Sequence, residues 1–374
     1  MTSPRFGLIG SGFIGRAHAI ALHEVGAVFG EEYSPHCELL ADRTSELARR
    51  SAAALGFSRG TGDWRALIAD PQVDVVDICA PNYLHREMAL AALAAGKHVY
   101  CEKPLANTAA DAREIADAAV RSGRIHLTGF NYICNPMLQL ARQMIESGEL
   151  GDVYEFRGCY LEDYMSDPAQ PWTWRCARAL AGTGALADLG SHLINLGHFL
   201  LGDIQRVCGS LRTVHGHRPD PGTGSMRAVE NEDLAQVLVE FARGANGTFE
   251  ISRIATGFKC GLRFVAVGTK GTLAFDQERM NELRHFDASG APGRHGFRTI
   301  LAGPEHPDYR AFCPAAGHGL GYNDLKVIEI RNLLRAIRNG GAAWPDFVEG
   351  WRVQRVIDAI VQADTVRGWV EVGA

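Results

Sequence analysis

A glycine-rich segment near the start of the chain constrains its fold more than any other feature. The residues GSGFIG at 10–15 follow a short apolar run at 5–10 and open a helical pattern, in which Ile14, Ala17 and Ala21 recur near 3.6-residue spacing. Three glycines at this spacing, between a strand and a helix, are typical of a turn that binds the diphosphate of a dinucleotide. A turn that merely requires flexible residues is the alternative.

Each glycine has a distinct expected role in such a turn. Gly10 permits the tight turn, Gly12 lets the backbone approach the diphosphate, and Gly15 lets the helix pack closely on the strand. The first helical turn then offers free N–H groups to the phosphates. The residues predicted to bind the cofactor in this segment are Gly10, Ser11, Gly12, Phe13, Ile14 and Gly15.

Strands and helices alternate through the rest of the first third of the chain. Strands are predicted at 37–43, 73–81, 97–104 and 125–130, and helices at 85–96 and 108–121. Strands separated by helices of this length imply right-handed crossovers and a parallel sheet.

Asp42 ends the second predicted strand, where such sheets place an acid that accepts hydrogen bonds from the cofactor ribose. The usual spacing from the last glycine is about 20 residues, whereas Asp42 follows Gly15 by 27, and residues 28–36 are interpreted as a loop insertion. Asp42 favours NAD because its charge repels a 2′-phosphate. Arg43 could pair with that phosphate, so NADP stays possible. A helix cap is the alternative role of Asp42.

Composition excludes several classes of partner. The 374-residue chain has a net charge of −5 and contains no run of Lys or Arg, so neither nucleic acid nor an anionic membrane is an expected partner. No apolar stretch of about 18 residues is present that would span a bilayer. The first residues are interpreted as a strand and turn rather than a signal peptide. Nine cysteines without a C-x-x-C pair predict reduced thiols and a cytoplasmic location.

From about residue 130 the pattern changes to strands joined by hairpins. Strands are predicted within 151–162, 206–216, 234–254 and 261–277, with turns at 244–247 and 269–271. These segments predict an antiparallel-rich sheet. One long helix is predicted at about 184–201, with Leu189, Leu193 and Leu196 on its apolar stripe.

Asp188 and His192 are four residues apart on that predicted helix, so we expect them to lie on one face within mutual reach. A histidine near a carboxylate can act as an acid or base near neutral pH. A structural pair and a metal-binding pair are the alternatives. No further ligand set is evident, so no metal is predicted.

Lys103 belongs to the segment CEKPLA at 101–106 and follows a predicted parallel strand. Ligands bind at the carboxyl ends of strands in such sheets. An ammonium there can donate a hydrogen bond to an alcohol or carbonyl oxygen and stabilise developing negative charge. A lysine that is merely solvated is the alternative.

Nearly the whole chain resembles the Gfo/Idh/MocA family, which includes glucose–fructose oxidoreductase and inositol dehydrogenase. The Glu-Lys-Pro element with a downstream Asp-x-x-x-His is the most specific part of the match. The matching segments are 7–18, 73–106, 129–137, 182–196 and 350–363. The resemblance implies an α/β Rossmann dinucleotide-binding domain at 1–129. It also implies an α+β domain at 130–374 with an open-faced mixed or antiparallel β-sheet, which binds substrate and serves subunit contacts.

The resemblance also implies roles for individual residues. Lys103 would be catalytic where the nicotinamide meets the substrate, His192 would accept a proton, and Asp188 would be its partner or a substrate ligand. The further residues implied at the cofactor are Pro81, Asn82, His85 and Glu102, although His85 could instead buttress its turn. The family usually has aspartate where this chain has Asn195, so a substrate contact at this position is in doubt. The family frequently has arginine where Ile133 stands, so no cationic contact is assigned there.

Other residues are candidates for contact with substrate. Trp174 offers an aromatic face to sugar C–H groups and Arg175 offers several hydrogen-bond donors, although the tryptophan could simply anchor its loop. The full set of predicted substrate-binding residues is Lys103, Asn131, Trp174, Arg175, Asp188, His192 and His318.

The implied function is an NAD(P)-dependent oxidoreductase that acts on a CH–OH group of a sugar, inositol or related cyclic polyol. Lys103 and His192 would manage the hydroxyl proton while hydride passes to the nicotinamide. An NAD-dependent glycosidase that uses transient oxidation is one alternative, and net reduction of free cofactor separates the two. A non-catalytic dinucleotide sensor is the other. The sheet of the second domain predicts a homodimer or homotetramer, because few helices cover its apolar face.

Overall fold

The computed structural model describes residues 3–373, which form two compact units. Unit 1 comprises the residues up to Cys134 together with Gly321–Arg352. Unit 2 comprises Asn135–Leu320 and the residues from Val353 onward. Within residues 3–373, no helix has both the length and the apolar character needed to cross a membrane.

Unit 1 is built on a six-stranded sheet with helices between consecutive strands. Its strands are β1 (Arg5–Ile9), β2 (His36–Ala41), β3 (Arg59–Thr61), β4 (Val75–Ile78), β5 (His98–Glu102) and β6 (His126–Gly129). The helices are α1 (Phe13–Phe29), α2 (Ser45–Leu55), α3 (Trp64–Ala69), α4 (His85–Ala94) and α5 (Ala109–Ser122). Every strand pair is parallel, in the order β3-β2-β1-β4-β5-β6. The order reverses between β1 and β4, which is where sheets of this type bind ligands.

The local sequence explains these elements. All four residues of β4 are buried, as expected for a strand covered on both faces. Helix α2 begins after Thr44, whose side-chain oxygen accepts a hydrogen bond from the backbone N–H of Leu47 at 3.2 Å. The cap of α2 is therefore Thr44, and the alternative role of Asp42 as that cap is wrong.

Unit 2 carries a nine-stranded mixed sheet. In chain order its elements are α6 (Pro136–Glu146), β7 (Val153–Leu161), α7 (Arg178–Ala181), α8 (Ser191–Leu201), β8 (Ile204–Arg212), β9 (His217–Pro219), β10 (Met226–Ala228), β11 (Leu234–Phe241), β12 (Asn246–Ser252), β13 (Gly261–Gly268), β14 (Gly271–Asp276), β15 (Glu282–Asp287), β16 (Arg298–Leu301) and α9 (Tyr309–Phe312). The chain ends with α10 (Tyr322–Asn339) in unit 1, α11 (Phe347–Val366), and β17 (Val370–Glu371) in unit 2. The strand order is β16-β15-β14-β13-β7-β12-β11-β8-β17, and only the β7–β12 pair among these described strands is parallel.

Helix α8 lies close to the sheet because glycines on the strands leave room for it. A Cβ at Gly158 of β7 would be 2.6 Å from the Leu193 side chain, which is closer than real side chains approach. A larger residue at this position would require the Leu193 side chain to shift.

The structure corrects three features of the predicted organisation. Residues 321–352 belong to unit 1, whereas the family resemblance implied that they lie in the second domain. The predicted helix at 184–201 is helical over 185–201, but it contains a π-helical turn, Leu186–Gly190, before α8. The first hairpin turn lies at 242–245, two residues earlier than predicted. The first difference arises because contacts between distant chain segments, which are absent from local periodicity, fix α10.

Candidate active site

Candidate cofactor- and substrate-binding residues of unit 1 lie at one edge of its sheet. The residues that follow the parallel strands are Gly10 and Ser11 after β1, Asp42 after β2, Pro81 and Asn82 after β4, Lys103 after β5, and Asn131 after β6. Since all these strands run in the same direction, their carboxyl ends meet at the same edge. The structure therefore brings together the unit 1 residues that the sequence predicted.

The glycine-rich turn has the geometry of an anion-binding site. Gly10 has a φ of +99°, and a Cβ there would be 2.7 Å from the carbonyl oxygen of Cys79. A Cβ at Gly15 would be 2.0 Å from the carbonyl oxygen of Gly10, whereas one at Gly12 would meet nothing within 4 Å. Among residues 3–373, no side chain caps the start of α1 and no acid lies in its first turn. The open space and the uncapped N–H groups fit a dinucleotide diphosphate.

Asp42 is held against this turn by its hydrogen bonds. Its Oδ2 accepts from the backbone N–H of Ser11 at 3.0 Å and from the Ser11 hydroxyl at 2.5 Å. Its Oδ1 accepts from the backbone N–H of Arg43 at 2.7 Å. Burial raises the pKa of Asp42, but these hydrogen bonds outweigh burial and lower it. The carboxylate is therefore anionic beside the glycine-rich turn, as a ribose-binding acid requires.

The Glu-Lys-Pro turn is tied to the turn that follows β4. The buried His85 ring has Nδ1 at 2.9 Å from the carbonyl oxygen of Pro104 and Nε2 at 2.8 Å from that of Ala80. Burial lowers the pKa of His85. Both ring nitrogens contact backbone, so the structure supports the buttressing role that the sequence left as an alternative. The Lys103–Pro104 peptide bond is cis.

Glu102 directs its carboxylate into the interior of unit 1. Its Oε1 accepts from the ammonium of Lys326 at 2.6 Å and from Nε2 of His18 at 3.0 Å. Its Oε2 accepts from the backbone N–H of Lys103 at 3.2 Å. The family resemblance implied a place for Glu102 at the cofactor, and that role stays a prediction.

These contacts belong to a larger cluster of ionisable groups, nearly all of them fully buried. The buried cluster consists of His18, Asp77, Tyr100, Glu102, Lys326 and Glu329. Nδ1 of His18 donates to Asp77 at 2.9 Å, and the His18 ring stacks on Tyr100 with centroids 4.6 Å apart. The donor atoms of His18, Asp77 and Cys79 lie within 4.8 Å of one another. Both His18 nitrogens already donate to carboxylates, which leaves no lone pair for a metal ion.

The buried imidazolium of His18 predicts a loss of stability toward alkaline pH. Burial lowers the pKa of His18, but Asp77 and Glu102 outweigh burial and raise it to about 9. Because this exceeds the unfolded value of 6.5, the stabilisation is complete below that value and is lost as pH rises through about 9. We expect the urea midpoint of unfolding to fall as pH rises from 6.5 through about 9. In His18→Gln, the slope of that midpoint against pH should be smaller. Equal slopes for the two proteins would contradict the assignment.

In unit 2, Asp188 lies in the π-helical turn and His192 in the first turn of α8. The hydroxyl of Tyr164 donates to Oδ2 of Asp188 at 2.6 Å. Glu232 anchors the start of this segment, since its Oε1 accepts from the backbone N–H of Leu186 at 2.9 Å. A π-helical turn of this kind frequently marks a functional site, because it displaces side chains from the regular helical register.

Trp174 and Arg175 share one short 3₁₀ turn, Trp174–Cys176, in unit 2. The Arg175 guanidinium lies over the Trp174 ring, 4.6 Å from its centroid. The backbone carbonyl of Arg175 accepts a hydrogen bond from the Asn231 side chain at 2.8 Å. The Asn231 side chain in turn accepts a hydrogen bond from Arg253. Arg253 also forms a buried ion pair with Asp233 at 3.0 Å. This support keeps the backbone fixed while the Arg175 side chain is exposed.

The remaining predicted residues occupy varied environments. Phe13 is 79% exposed at the start of α1, and Arg43 is exposed beside Asp42. Asn131 is buried, and its Nδ2 has no hydrogen-bond partner among residues 3–373. His318 is an exposed residue of unit 2, and its backbone bonds to the hydroxyl of Tyr309.

The sequence analysis missed the buried cluster apart from Glu102. A signal was present, because His18 falls on the apolar stripe of α1 and Asp77 interrupts the apolar run of β4. Lys326 and Glu329 likewise fall among the apolar residues of α10. An ionisable residue in an apolar stripe requires a buried partner, but periodicity does not identify which one.

Comparison with known proteins places both units in one family. Residues 4–130 match the family described as "Oxidoreductase family, NAD-binding Rossmann fold", and residues 138–274 match the "GFO/IDH/MocA C-terminal domain". Together these matches account for most of the chain, and they agree with the parallel sheet of unit 1 and the mixed sheet of unit 2.

Individual relatives agree with this assignment. The chain is 37% identical to levoglucosan dehydrogenase of Pseudarthrobacter phenanthrenivorans, covering 100% of this chain and 99% of that protein. A solved levoglucosan dehydrogenase in complex with NADH and L-sorbose has a TM-score of 0.97 at 38% identity, with 100% of both chains covered. An inositol dehydrogenase homologue from Azotobacter vinelandii in complex with NAD⁺ has a TM-score of 0.84 at 25% identity, covering 99% and 97%.

The site thus combines a glycine-rich turn, an anionic Asp42 and a Glu-Lys-Pro turn. These relatives, which match along the full length of the chain, are sugar and inositol dehydrogenases. The chain belongs to the GFO/IDH/MocA family and is an NAD-dependent oxidoreductase that acts on a CH–OH group of a sugar or related polyol.

Proposed function

We propose that this oxidoreductase acts on an anhydrosugar such as levoglucosan, with Lys103, Asp188 and His192 as its catalytic residues. The observation that carries the catalytic assignment is the Glu-Lys-Pro turn, where Glu102 fixes the backbone of Lys103 at the carboxyl edge of the parallel sheet. The full-length similarity to levoglucosan dehydrogenase supports the substrate class.

Each residue has a definable task in oxidising a secondary alcohol. NAD, when bound, accepts a hydride from the substrate carbon. The Lys103 ammonium donates a hydrogen bond to the substrate oxygen and stabilises the negative charge that develops there. The His192 imidazole accepts the hydroxyl proton. Asp188, oriented by the Tyr164 hydroxyl, orients His192 or accepts a hydrogen bond from a second substrate hydroxyl.

Steady-state kinetics on a panel of substrates tests the substrate class. We expect kcat/KM for levoglucosan to exceed that for myo-inositol and D-glucose by at least about tenfold, which corresponds to about 1.4 kcal/mol of transition-state binding. Greater activity on myo-inositol would move the assignment from anhydrosugars to inositols.

We expect tighter binding of NAD than of NADP. Asp42 is anionic, and a second charge about 4 Å away costs about 4 kcal/mol at an effective dielectric constant of about 20. That repulsion exceeds the roughly 1.4 kcal/mol that corresponds to a tenfold preference. Titration of the two reduced cofactors by fluorescence measures the ratio, and Asp42→Asn should diminish it. Tighter NADP binding by the unaltered protein would show that Arg43 dominates.

A homodimer or homotetramer formed through unit 2 is part of this proposal. Tyr154 of β7 and Leu238 of β11 are large apolar residues of the nine-stranded sheet and are 52% and 48% exposed. Exposed apolar side chains on a sheet favour contact with a second copy. Light scattering at micromolar concentration should report a mass above the 40.6 kDa of one chain, and a stable monomer would contradict the proposal.

A cytoplasmic location completes the proposal. It is supported by the nine cysteines, among which Cys79 and Cys101 are buried thiols whose pKa values burial raises well above the usual range. Thiols of this kind persist in reducing compartments.

A further inference from the structure

Lys326 of α10 lies in the interior of unit 1, with all three of its donors engaged. The Lys326 side chain is 0% exposed. Its ammonium donates hydrogen bonds to Glu102 at 2.6 Å, to Glu329 at 2.9 Å and to the Tyr100 hydroxyl at 3.1 Å. A lysine ammonium has three donors, so its hydrogen-bonding capacity is fully used. Two of these acceptors belong to β5. Glu102 immediately precedes Lys103, and Tyr100 lies three residues before it.

The Glu102 carboxylate is the point at which three parts of unit 1 meet. Lys326 approaches it from α10, His18 from α1, and the backbone N–H of Lys103 from the Glu-Lys-Pro turn. Space for the carboxylate depends on Gly129, because a Cβ there would be 2.5 Å from its Oε1. The carboxylate therefore has little freedom to move.

The connection through His18 matters because α1 is also the helix that the glycine-rich turn opens. His18 lies one turn after Gly15 and donates to both Asp77 and Glu102. The cofactor-binding turn and the turn that carries Lys103 are thus joined through one buried imidazolium and one buried carboxylate. Lys326 supplies the second cation that this carboxylate contacts.

We propose that Lys326 is a positioning residue for Lys103, and that it acts by holding the Glu102 carboxylate in place beneath the Glu-Lys-Pro turn. The proposal rests on the catalytic role proposed for Lys103. Without the Lys326 ammonium, Glu102 would lose its 2.6 Å ion pair from α10, and its contact with the Lys103 backbone would lose that support.

The electrostatics of the site agree with this role. Burial raises the pKa of Glu102, but Lys326 and His18 outweigh burial and hold it well below the usual range. Several charged or titratable groups face Glu102 from the elements packed around it. They are His18 on α1, Asp77 on β4 and Cys79 after it, Tyr100 and Cys101 on β5, His85 on α4, Lys103, and Lys326 and Glu329 on α10. In Lys326→Met, the pKa of Glu102 should rise, so that kcat acquires a new loss on the acidic side of its pH profile.

The test is a double-variant cycle between Lys326 and Lys103. Alone, Lys326→Met should lower kcat by roughly 10- to 100-fold, the scale of loss when a reacting group is displaced by about 1 Å. In the Lys103→Met background it should cause no further loss beyond about threefold, because its effect passes through Lys103. NADH affinity, measured by fluorescence, should stay within about threefold of the unaltered protein in both backgrounds, since Lys326 has no predicted contact with the cofactor.

Two further variants keep the test independent of folding. Lys326→Met combined with Glu102→Gln removes one charge of each sign from the buried cluster, so the double variant should unfold at a higher temperature than Lys326→Met alone, while kcat stays reduced. Lys97→Met is the matched control, because Lys97 is a partly buried lysine of unit 1 that donates to the carbonyls of Asp70 and Val73. It should leave kcat and its pH profile unchanged.

The outcomes separate this proposal from the one on which it rests. An unchanged kcat and pH profile in folded Lys326→Met, or in the folded charge-removal double variant, would overturn the positioning role. The positioning role would also be overturned if Lys326→Met lowered kcat by the same factor in the presence of Lys103 and in the Lys103→Met background. Near-normal turnover in Lys103→Met alone would instead overturn the catalytic role of Lys103.

Discussion

His192→Ala should lower kcat by roughly 10² to 10⁴, the contribution of a positioned acid or base. Oxidising a secondary alcohol requires removal of the hydroxyl proton as the hydride leaves, and His192 is the imidazole assigned to that proton. The affinity for NAD should stay within about threefold, because the cofactor-binding residues belong to unit 1 and His192 belongs to unit 2. Steady-state kinetics with cofactor titrations measures both quantities.

His198→Gln is the matched control for this prediction. His198 lies on the same helix, α8, and is also largely buried, but it has no proposed catalytic task. Its substitution should change stability without a comparable loss of kcat. Equal losses in the two variants would mean that disruption of α8, rather than removal of the base, explains the result.

Lys103→Met should lower kcat by roughly 10² to 10³, the cost of removing one donor from a developing oxyanion. Methionine keeps much of the length and the apolar stem of lysine, so the Glu102 carboxylate and its contacts with Lys326 and His18 should persist. We expect the thermal midpoint to change little, which separates a loss of chemistry from a loss of structure.

The control for Lys103 is Lys270→Met, which removes an exposed lysine in the turn between β13 and β14. Kinetics that match the unaltered protein are expected for this variant. Near-normal turnover of Lys103→Met would mean that the Glu-Lys-Pro turn serves only the fold.

The place of the candidate cofactor-binding residues in the sheet could be predicted from the sequence because its determinants are local. The glycine spacing at 10–15 follows β1 directly, and Asp42 and Lys103 each follow a buried strand. In a parallel sheet, strand order alone brings such residues to one edge. Local pattern was therefore sufficient to place these residues at one edge of the sheet.

Features that depend on distant segments could not be predicted in this way. Lys326 contacts Glu102 across 224 residues of sequence, and α10, which also packs on α1, belongs to unit 1. The π-helical turn that carries Asp188 also escaped prediction. An extra residue within an otherwise regular helix follows from packing, here the anchoring of Leu186 by Glu232, and not from the spacing of leucines.

The most direct test of the account is the stoichiometry of one reaction. The protein is mixed with NAD and levoglucosan, NADH is followed by absorbance, and the sugar product is weighed by mass spectrometry. We predict one NADH for each sugar converted, and a product lighter than levoglucosan by two hydrogen atoms. Cleavage of a glycosidic bond without net NADH, as a glycosidase that recycles its cofactor would give, would contradict the account.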